Sequence, residues 1–153
     1  MTKRIFKSFF AVISLAVVLP ALFTSCEPVE TGIPDCEVYI KRNIDIYKLF
    51  DYGSYLYIDK RVIENDRIGY GGIIIVKAFD GLFYAFDLTC TKEKDNSIII
   101  GKPNEMLVCT CESCGEQYDL SFGGGAPTKS ISKLPLKRYS TSIDGLNNIY
   151  VTP

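Results

Sequence analysis

The side chains with the most chemical potential in this chain are its cysteines. Six are present: Cys26, Cys36, Cys90, Cys109, Cys111 and Cys114. Histidine is absent from all 153 residues, which removes a common metal ligand and the one side chain that ordinarily titrates near neutral pH. Hydrolases that need a Ser/His/Asp or Cys/His arrangement are therefore excluded. The cysteines are therefore the leading candidates for binding zinc or an iron–sulfur cluster.

The spacing of four of these cysteines indicates a shared site. Cys111 and Cys114 are separated by two residues and followed by Gly115, a pattern typical of a metal-binding knuckle. Cys109 would share a face with Cys111 on a strand, and Cys90 belongs to an earlier loop. The four could hold zinc or an iron–sulfur cluster. In a secreted protein the same spacing also fits a disulfide or reduced thiols, and spacing alone favours that second interpretation.

The N-terminus has the layout of a secretory signal peptide. Three basic residues come first, Lys3, Arg4 and Lys7. An apolar run over 9–23 follows, and two small residues separate it from Cys26. This run is short for a membrane span of about 20 residues. We therefore expect a signal peptide over 1–25.

The segment 23–26 resembles a bacterial lipobox, although Phe23 stands where that motif prefers leucine. The resemblance implies that Cys26 is lipid-modified and becomes the mature N-terminus. Residues 26–35, with Pro28, Gly32 and Pro34, would form a lipid-anchored linker. We expect the protein in the cell envelope, on the periplasmic face or the cell surface of a bacterial outer membrane.

The charge of the remaining chain argues against nucleic acid as a partner. Residues 26–153 hold fourteen basic and eighteen acidic residues, a formal charge of −4 without a basic cluster. Residues 36–153 have the size of one domain that can form its own core.

The apolar pattern of this domain has a period of two and predicts an all-β fold. Apolar residues alternate over 38–40 and 44–46, and a continuous apolar run over 73–76 predicts a strand buried on both faces. A hairpin is expected over 78–86, with its tight turn at Asp80-Gly81. Further strands are predicted over 98–100, 106–109, 117–120 and 149–152. No long helical stripe follows residue 26, so we expect an antiparallel β-sandwich or partly open barrel.

Several motifs resemble the Rieske [2Fe-2S] domain family. The segment 86–92 resembles its first cluster-binding loop, where the family has Cys-x-His. The segment 111–120 resembles the second loop, which reads Cys, two residues, His-Gly, two residues, an aromatic residue, then Asp-Leu. Gly123 matches a turn glycine, and 134–139 and 149–151 resemble the closing segments. The resemblance covers residues from about 72 to the end and implies a Rieske-like β fold.

The departures from the family pattern concern the ligands themselves. Cys90 and Cys111 occupy its two cysteine positions, whereas Lys92 and Cys114 stand at its two histidine positions. A protonated lysine has no lone pair to donate, so the outer iron would have one protein ligand. Cys109 is not expected to reach that iron. The family's Gly-Pro-Ala cover loop corresponds to 130–132, which lacks the proline.

The resemblance therefore implies a degenerate Rieske-like domain. We expect a lipid-anchored, non-catalytic binding or structural module without a cofactor, with the membrane and an unknown protein or redox partner as its contacts. The fold would bring Cys90 close to Cys111 and Cys114, and we expect a Cys90–Cys114 disulfide over a Cys90–Cys111 one. The alternative is an electron-transfer protein with an altered, cysteine-rich [2Fe-2S] centre. A zinc or thiol–disulfide protein using Cys111 and Cys114 is a third, weaker hypothesis.

Overall fold

The computed structural model describes residues 30–153 and contains no helix in that range. No helix in this part of the chain has the length and hydropathy that crossing a bilayer would require. The expected signal peptide and Cys26 lie outside the described residues. The domain boundaries therefore remain predictions.

Ten strands form the domain, and all their pairings are antiparallel. They are β1 (Val38–Asn43), β2 (Tyr55–Ile58), β3 (Arg67–Ile68), β4 (Ile73–Lys77), β5 (Phe83–Asp87), β6 (Val108–Thr110), β7 (Gln117–Asp119), β8 (Ala126–Pro127), β9 (Arg138–Ile143) and β10 (Asn148–Thr152). The prediction of an all-β antiparallel fold is confirmed.

Seven strands form one sheet in the order β2-β4-β5-β9-β10-β1-β3. This sheet curls into a nearly closed barrel. The other three strands, β6-β7-β8, form a separate small sheet. The cysteine-bearing loops belong to the region between the barrel wall and this small sheet.

Strand β4 separates two apolar cores. Ile73 and Ile75 face the barrel interior, whereas Ile74 and Val76 face the small sheet and the cysteines. All four side chains are buried, because successive residues of a strand point to opposite faces and both faces are covered. The prediction of a strand buried on both faces is confirmed.

The expected hairpin is also present, between β4 and β5. The amide of Ala78 donates to the carbonyl of Leu82 at 2.9 Å, and Gly81 has a φ of 84°. A positive φ is readily adopted by glycine. The turn at Asp80-Gly81 was therefore predictable from local chemistry.

Three strand predictions are wrong in whole or in part, and asparagine explains two of them. The side-chain oxygen of Asn43 accepts from the amides of Asp45 and Ile46, which ends β1 in a turn and leaves no strand over 44–46. Asn104 forms the same kind of turn, in which its side-chain oxygen accepts from the amide of Met106. Strand β6 therefore begins two residues later than expected.

The third difference concerns 98–100, which forms two isolated bridges instead of a strand. Ile99 pairs with Thr89, and Ile100 pairs with Cys111. This segment therefore links the first cysteine loop to the second. The apolar pattern predicts a strand here, but the two paired residues form single bridges between loops.

One end of the barrel contains a buried ion pair. Arg42 lies on β1 on the same face as Val38 and Ile40, and its guanidinium donates two hydrogen bonds to the Asp66 carboxylate at 2.9 and 2.6 Å. Burial acts to raise the pKa of Asp66. The guanidinium and the amides of Ile63 and Val62 outweigh that effect and hold the pKa below its ordinary value.

Candidate metal centre

Two loops form the candidate site, and the first follows β5. The carboxylate of Asp87 accepts from the backbone amide of Thr89 at 2.8 Å and from its hydroxyl at 2.6 Å. The same carboxylate accepts from the Tyr139 hydroxyl at 2.7 Å. Cys90 comes next, with its amide bonded to the Ile98 carbonyl. The loop is therefore anchored to both the barrel wall and the bridging segment.

The second loop is a tight turn after β6. The amide of Gly115 donates to the carbonyl of Cys111 at 2.8 Å, and the amide of Cys111 donates to the carbonyl of Glu116 at 2.8 Å. Gly115 has a φ of 76°, which glycine adopts without strain. This turn brings Cys114 back beside Cys111, as expected for a metal-type knuckle.

The three sulfur atoms of Cys90, Cys111 and Cys114 converge. All lie within 4.8 Å of one another, and Cys90 Sγ is 3.6 Å from Cys114 Sγ. Cys90 and Cys111 are fully buried, and Cys114 is half-buried. No sulfur–sulfur bond joins them in the described part of the chain, so the Cys90–Cys114 disulfide remains a prediction.

The other candidate residues lie elsewhere. Cys109 is on β6 opposite Tyr118, buried in the apolar core, and the three-thiol group does not include it. Burial raises its pKa to about 12. Cys36 is half-buried and also outside the group. Lys92, at the first histidine position, is exposed.

A chain of hydroxyls lies against Cys90. The Tyr118 hydroxyl is 3.4 Å from Cys90 Sγ and 3.0 Å from the Thr91 hydroxyl. Thr91 in turn contacts the Ser132 hydroxyl at 2.9 Å and donates to the Leu134 carbonyl at 2.8 Å. These buried groups connect the first loop to the segment 132–134.

The environments of the two buried thiols differ. Burial acts to raise the pKa of Cys90, but the Tyr118 hydroxyl and the amides of Glu93 and Lys92 outweigh it and lower that pKa. Burial raises the pKa of Cys111 to about 12.

Glu116 is a buried residue that sequence reasoning missed. Its carboxylate accepts from the amides of Gln117 and Lys129, each at 2.9 Å, and from that of Ser132 at 2.5 Å. Burial acts to raise the pKa of Glu116, but these amides outweigh it and lower the pKa. The carboxylate thus positions the cover-loop residues. No sequence signal distinguishes Glu116 from the exposed Glu112.

A groove elsewhere on the surface has a different lining. It has a volume of about 780 Å³ and lies between residues 30–35 and 135–138, with Gly123 and Gly124 also at its wall. None of the three convergent cysteines contributes to it. The groove is therefore not part of the candidate centre.

Neither a protein-family model nor a curated protein sequence matches this chain. Among solved structures, the quaternary ammonium Rieske monooxygenase CntA matches with a TM-score of 0.51 and 15% identity, over 76% of this chain and 31% of that chain. The fold is Rieske-like. The ferredoxin of carbazole 1,9a-dioxygenase from Nocardioides aromaticivorans IC177 matches 76% of this chain and 98% of its own, at 20% identity and a TM-score of 0.45. The putative NADH-dependent nitrite reductase small subunit from Mycobacterium tuberculosis has 11% identity, a TM-score of 0.44, and coverage of 76% and 96%.

The Rieske-like loops do not supply the ligands of a Rieske cluster. A Rieske centre binds one iron through two cysteines and the other through two histidines. In this chain the two histidine positions hold Lys92 and Cys114. Lys92 is exposed, and the sulfur of Cys114 lies 3.6 Å from Cys90 Sγ. Thiols assigned to different irons would be held apart by the cluster between them. The three thiols therefore fit a smaller centre better than a two-iron cluster.

Proposed function

We propose that this protein is a Rieske-like module of the cell envelope that holds no conventional [2Fe-2S] cluster and acts in binding or structure, not as an enzyme. The observation that carries this proposal is that, among residues 30–153, three thiols and no fourth converge within 4.8 Å of one another. The exposed Lys92 stands at the family's first histidine position, the one ligand position that has no cysteine here.

Among residues 30–153, the buried polar groups of the two cysteine loops are engaged in hydrogen bonds that hold those loops, which supports a non-enzymatic role. The buried carboxylates of the two loops are both occupied. That of Glu116 accepts from three backbone amides, and that of Asp87 accepts from Thr89 and Tyr139. The Thr91 and Tyr118 hydroxyls bond to one another. These groups serve loop positioning, which leaves the thiols as the chemically available side chains of this region.

The test is reconstitution of the reduced chain with iron and sulfide under anaerobic conditions, followed by metal and sulfide analysis and visible absorption. We expect iron far below two atoms per chain and no broad visible band. The double variant Lys92→His/Cys114→His restores the family's ligand types and serves as the matched comparison. Two irons and two sulfides in the unaltered chain, with a paramagnetic signal on reduction, would overturn the proposal.

The second candidate is an electron-transfer protein with an altered, cysteine-rich iron–sulfur centre. The convergence of Cys90, Cys111 and Cys114 favours it, because cysteine thiolates are the ligands that hold iron–sulfur clusters. An all-thiolate centre carries more negative charge than one with two histidines, so its potential should lie near the low ferredoxin range of about −400 mV. A reversible redox wave in the reconstituted chain would favour this candidate.

Attachment to the envelope rests on the lipobox-like segment that ends at Cys26. We propose a lipid-modified Cys26 as the membrane contact, with a protein or redox partner at the same surface. The test is the mass of the N-terminal peptide from membrane fractions, compared with Cys26→Ala. An unmodified Cys26 in membrane-bound protein would contradict the anchor.

A further inference from the structure

We infer that Cys90, Cys111 and Cys114 bind a single thiophilic metal ion, with Zn²⁺ as the biological occupant. This inference rests on the proposed function, because the same thiols cannot hold a two-iron cluster and a single ion together. The ion would take three sulfur ligands from two loops. Its fourth ligand would be water.

The sulfur spacing carries the inference. Zn–S bonds of about 2.3 Å at tetrahedral angles place two sulfurs about 3.8 Å apart. Cys90 Sγ and Cys114 Sγ are 3.6 Å apart, and the third sulfur lies within 4.8 Å of both. Small side-chain rotations would thus bring all three to one ion without movement of the loops.

A hydroxyl group lies beside one of the three sulfurs. The Tyr118 oxygen is 3.4 Å from Cys90 Sγ. Donation from this hydroxyl would stabilise the thiolate, the form in which sulfur ligates a metal. The Tyr118 hydroxyl also bonds to that of Thr91, so this ligand has an outer shell of hydrogen bonds.

The site is also open on one side. Cys90 and Cys111 are buried, but Cys114 is half-buried, so an ion can enter beside it and keep a water ligand. Three protein ligands with one open position is an established arrangement for zinc. Among the described residues, Cys109 and Cys36 lie outside the group, so no other thiol of residues 30–153 closes the site.

Binding would exchange protons for the ion without any redox change. Each of the three thiols loses its proton to solvent as its sulfur bonds to Zn²⁺, so three protons leave and the centre carries a net charge of −1. The ion would join the loop of Cys90 to the knuckle of Cys111 and Cys114. This is the same connection that a Cys90–Cys114 disulfide would make.

The test is titration of the reduced full chain with Co²⁺, a coloured substitute for Zn²⁺, followed by displacement with Zn²⁺. We expect thiolate-to-cobalt absorption and tetrahedral visible bands that saturate at one ion per chain. Cys90→Ser, Cys111→Ser and Cys114→Ser should each weaken Zn²⁺ binding by more than the about 10–100-fold that loss of an outer-shell partner costs. The matched controls Cys109→Ser and Cys36→Ser should retain binding.

Alkylation of the unaltered chain keeps the test decisive if a serine variant does not fold. Bound Zn²⁺ should protect Cys114 from alkylation and leave Cys36, the other half-buried thiol, reactive. Unchanged Cys114 reactivity, or no Co²⁺ saturation of the reduced chain, would overturn the metal site and leave the proposed function intact. A cluster of two irons and two sulfides would overturn both.

Discussion

The two faces of strands β4 and β5 pack against two cores that differ in their side chains. The barrel interior is almost entirely aliphatic, with Ile73, Ile75 and Ala85 on these strands. The opposite face borders thiols, the Tyr118 hydroxyl and the loop held by Glu116. Apolar packing stabilises both sides, and on the cysteine side buried hydrogen bonds also position the loops. Changes of ligand type in those loops can leave the barrel intact.

The largest expected effect is on the barrel side, at the buried Arg42–Asp66 ion pair. Asp66→Asn would leave Arg42 buried without a charged partner and should lower the free energy of unfolding by about 3–5 kcal/mol. Chemical denaturation measures this loss. Asp51→Asn, at an exposed aspartate, is the matched control and should change stability by less than about 0.5 kcal/mol.

The same pair predicts a dependence on pH. Because the folded-state pKa of Asp66 lies below its ordinary 3.8, its contribution is complete above that value and is lost as the pH falls through the lowered pKa. The unaltered chain should therefore lose more stability in acid than Asp66→Asn does. Parallel pH dependences of the two proteins would show that the ion pair does not cause the loss of stability in acid.

An apolar truncation in the barrel should come next. Ile40 is fully buried and Ile46 is 76% exposed, so Ile40→Ala should cost about 2–5 kcal/mol and Ile46→Ala close to nothing. Thermal unfolding of the two variants compares them directly. Equal midpoints would mean that the barrel core does not dominate stability.

On the cysteine side, Glu116→Gln should have a smaller and more local effect. One carboxylate oxygen would become an amide donor facing backbone amides, and we expect a loss of about 1–3 kcal/mol. Hydrogen exchange at the Lys129 and Ser132 amides should accelerate, while that of barrel strands stays slow. The exposed Glu112→Gln is the control. Faster exchange throughout the barrel would show that the two regions are not independent.

The smallest effect is expected at Tyr118. Removing its hydroxyl in Tyr118→Phe deletes the contacts to Cys90 and Thr91 and should cost about 0.5–1.5 kcal/mol. Tyr52→Phe, at a tyrosine that is 67% exposed, should cost nothing measurable. Denaturant midpoints of the two variants decide the matter, and indistinguishable values would mean that the hydroxyl chain does not support the loop.

Local patterns were sufficient where local chemistry controls the backbone. The apolar run at β4 and the Asp80-Gly81 turn were predicted correctly because burial on both faces and a positive φ leave direct marks in sequence. Strands β2, β3, β8 and β9 were not predicted. Two of them have only two residues each, too short for a period to be seen, and β9 alternates mostly polar residues that pair with β5 and β10.

By itself the sequence determined an all-β domain of Rieske-like type, because strand period, turn residues and loop motifs are local properties of the chain. The resemblance to the family led us to expect Cys90 near Cys111 and Cys114, and the tertiary structure supplied the separations of their sulfurs. It brought Cys90, at 21 positions before Cys111, against the knuckle, and it placed Cys109 in the apolar core. It also placed the Glu116 carboxylate where it accepts a hydrogen bond from the Ser132 amide of the cover loop. These outcomes depend on how distant segments pack, and spacing along one chain does not specify that packing.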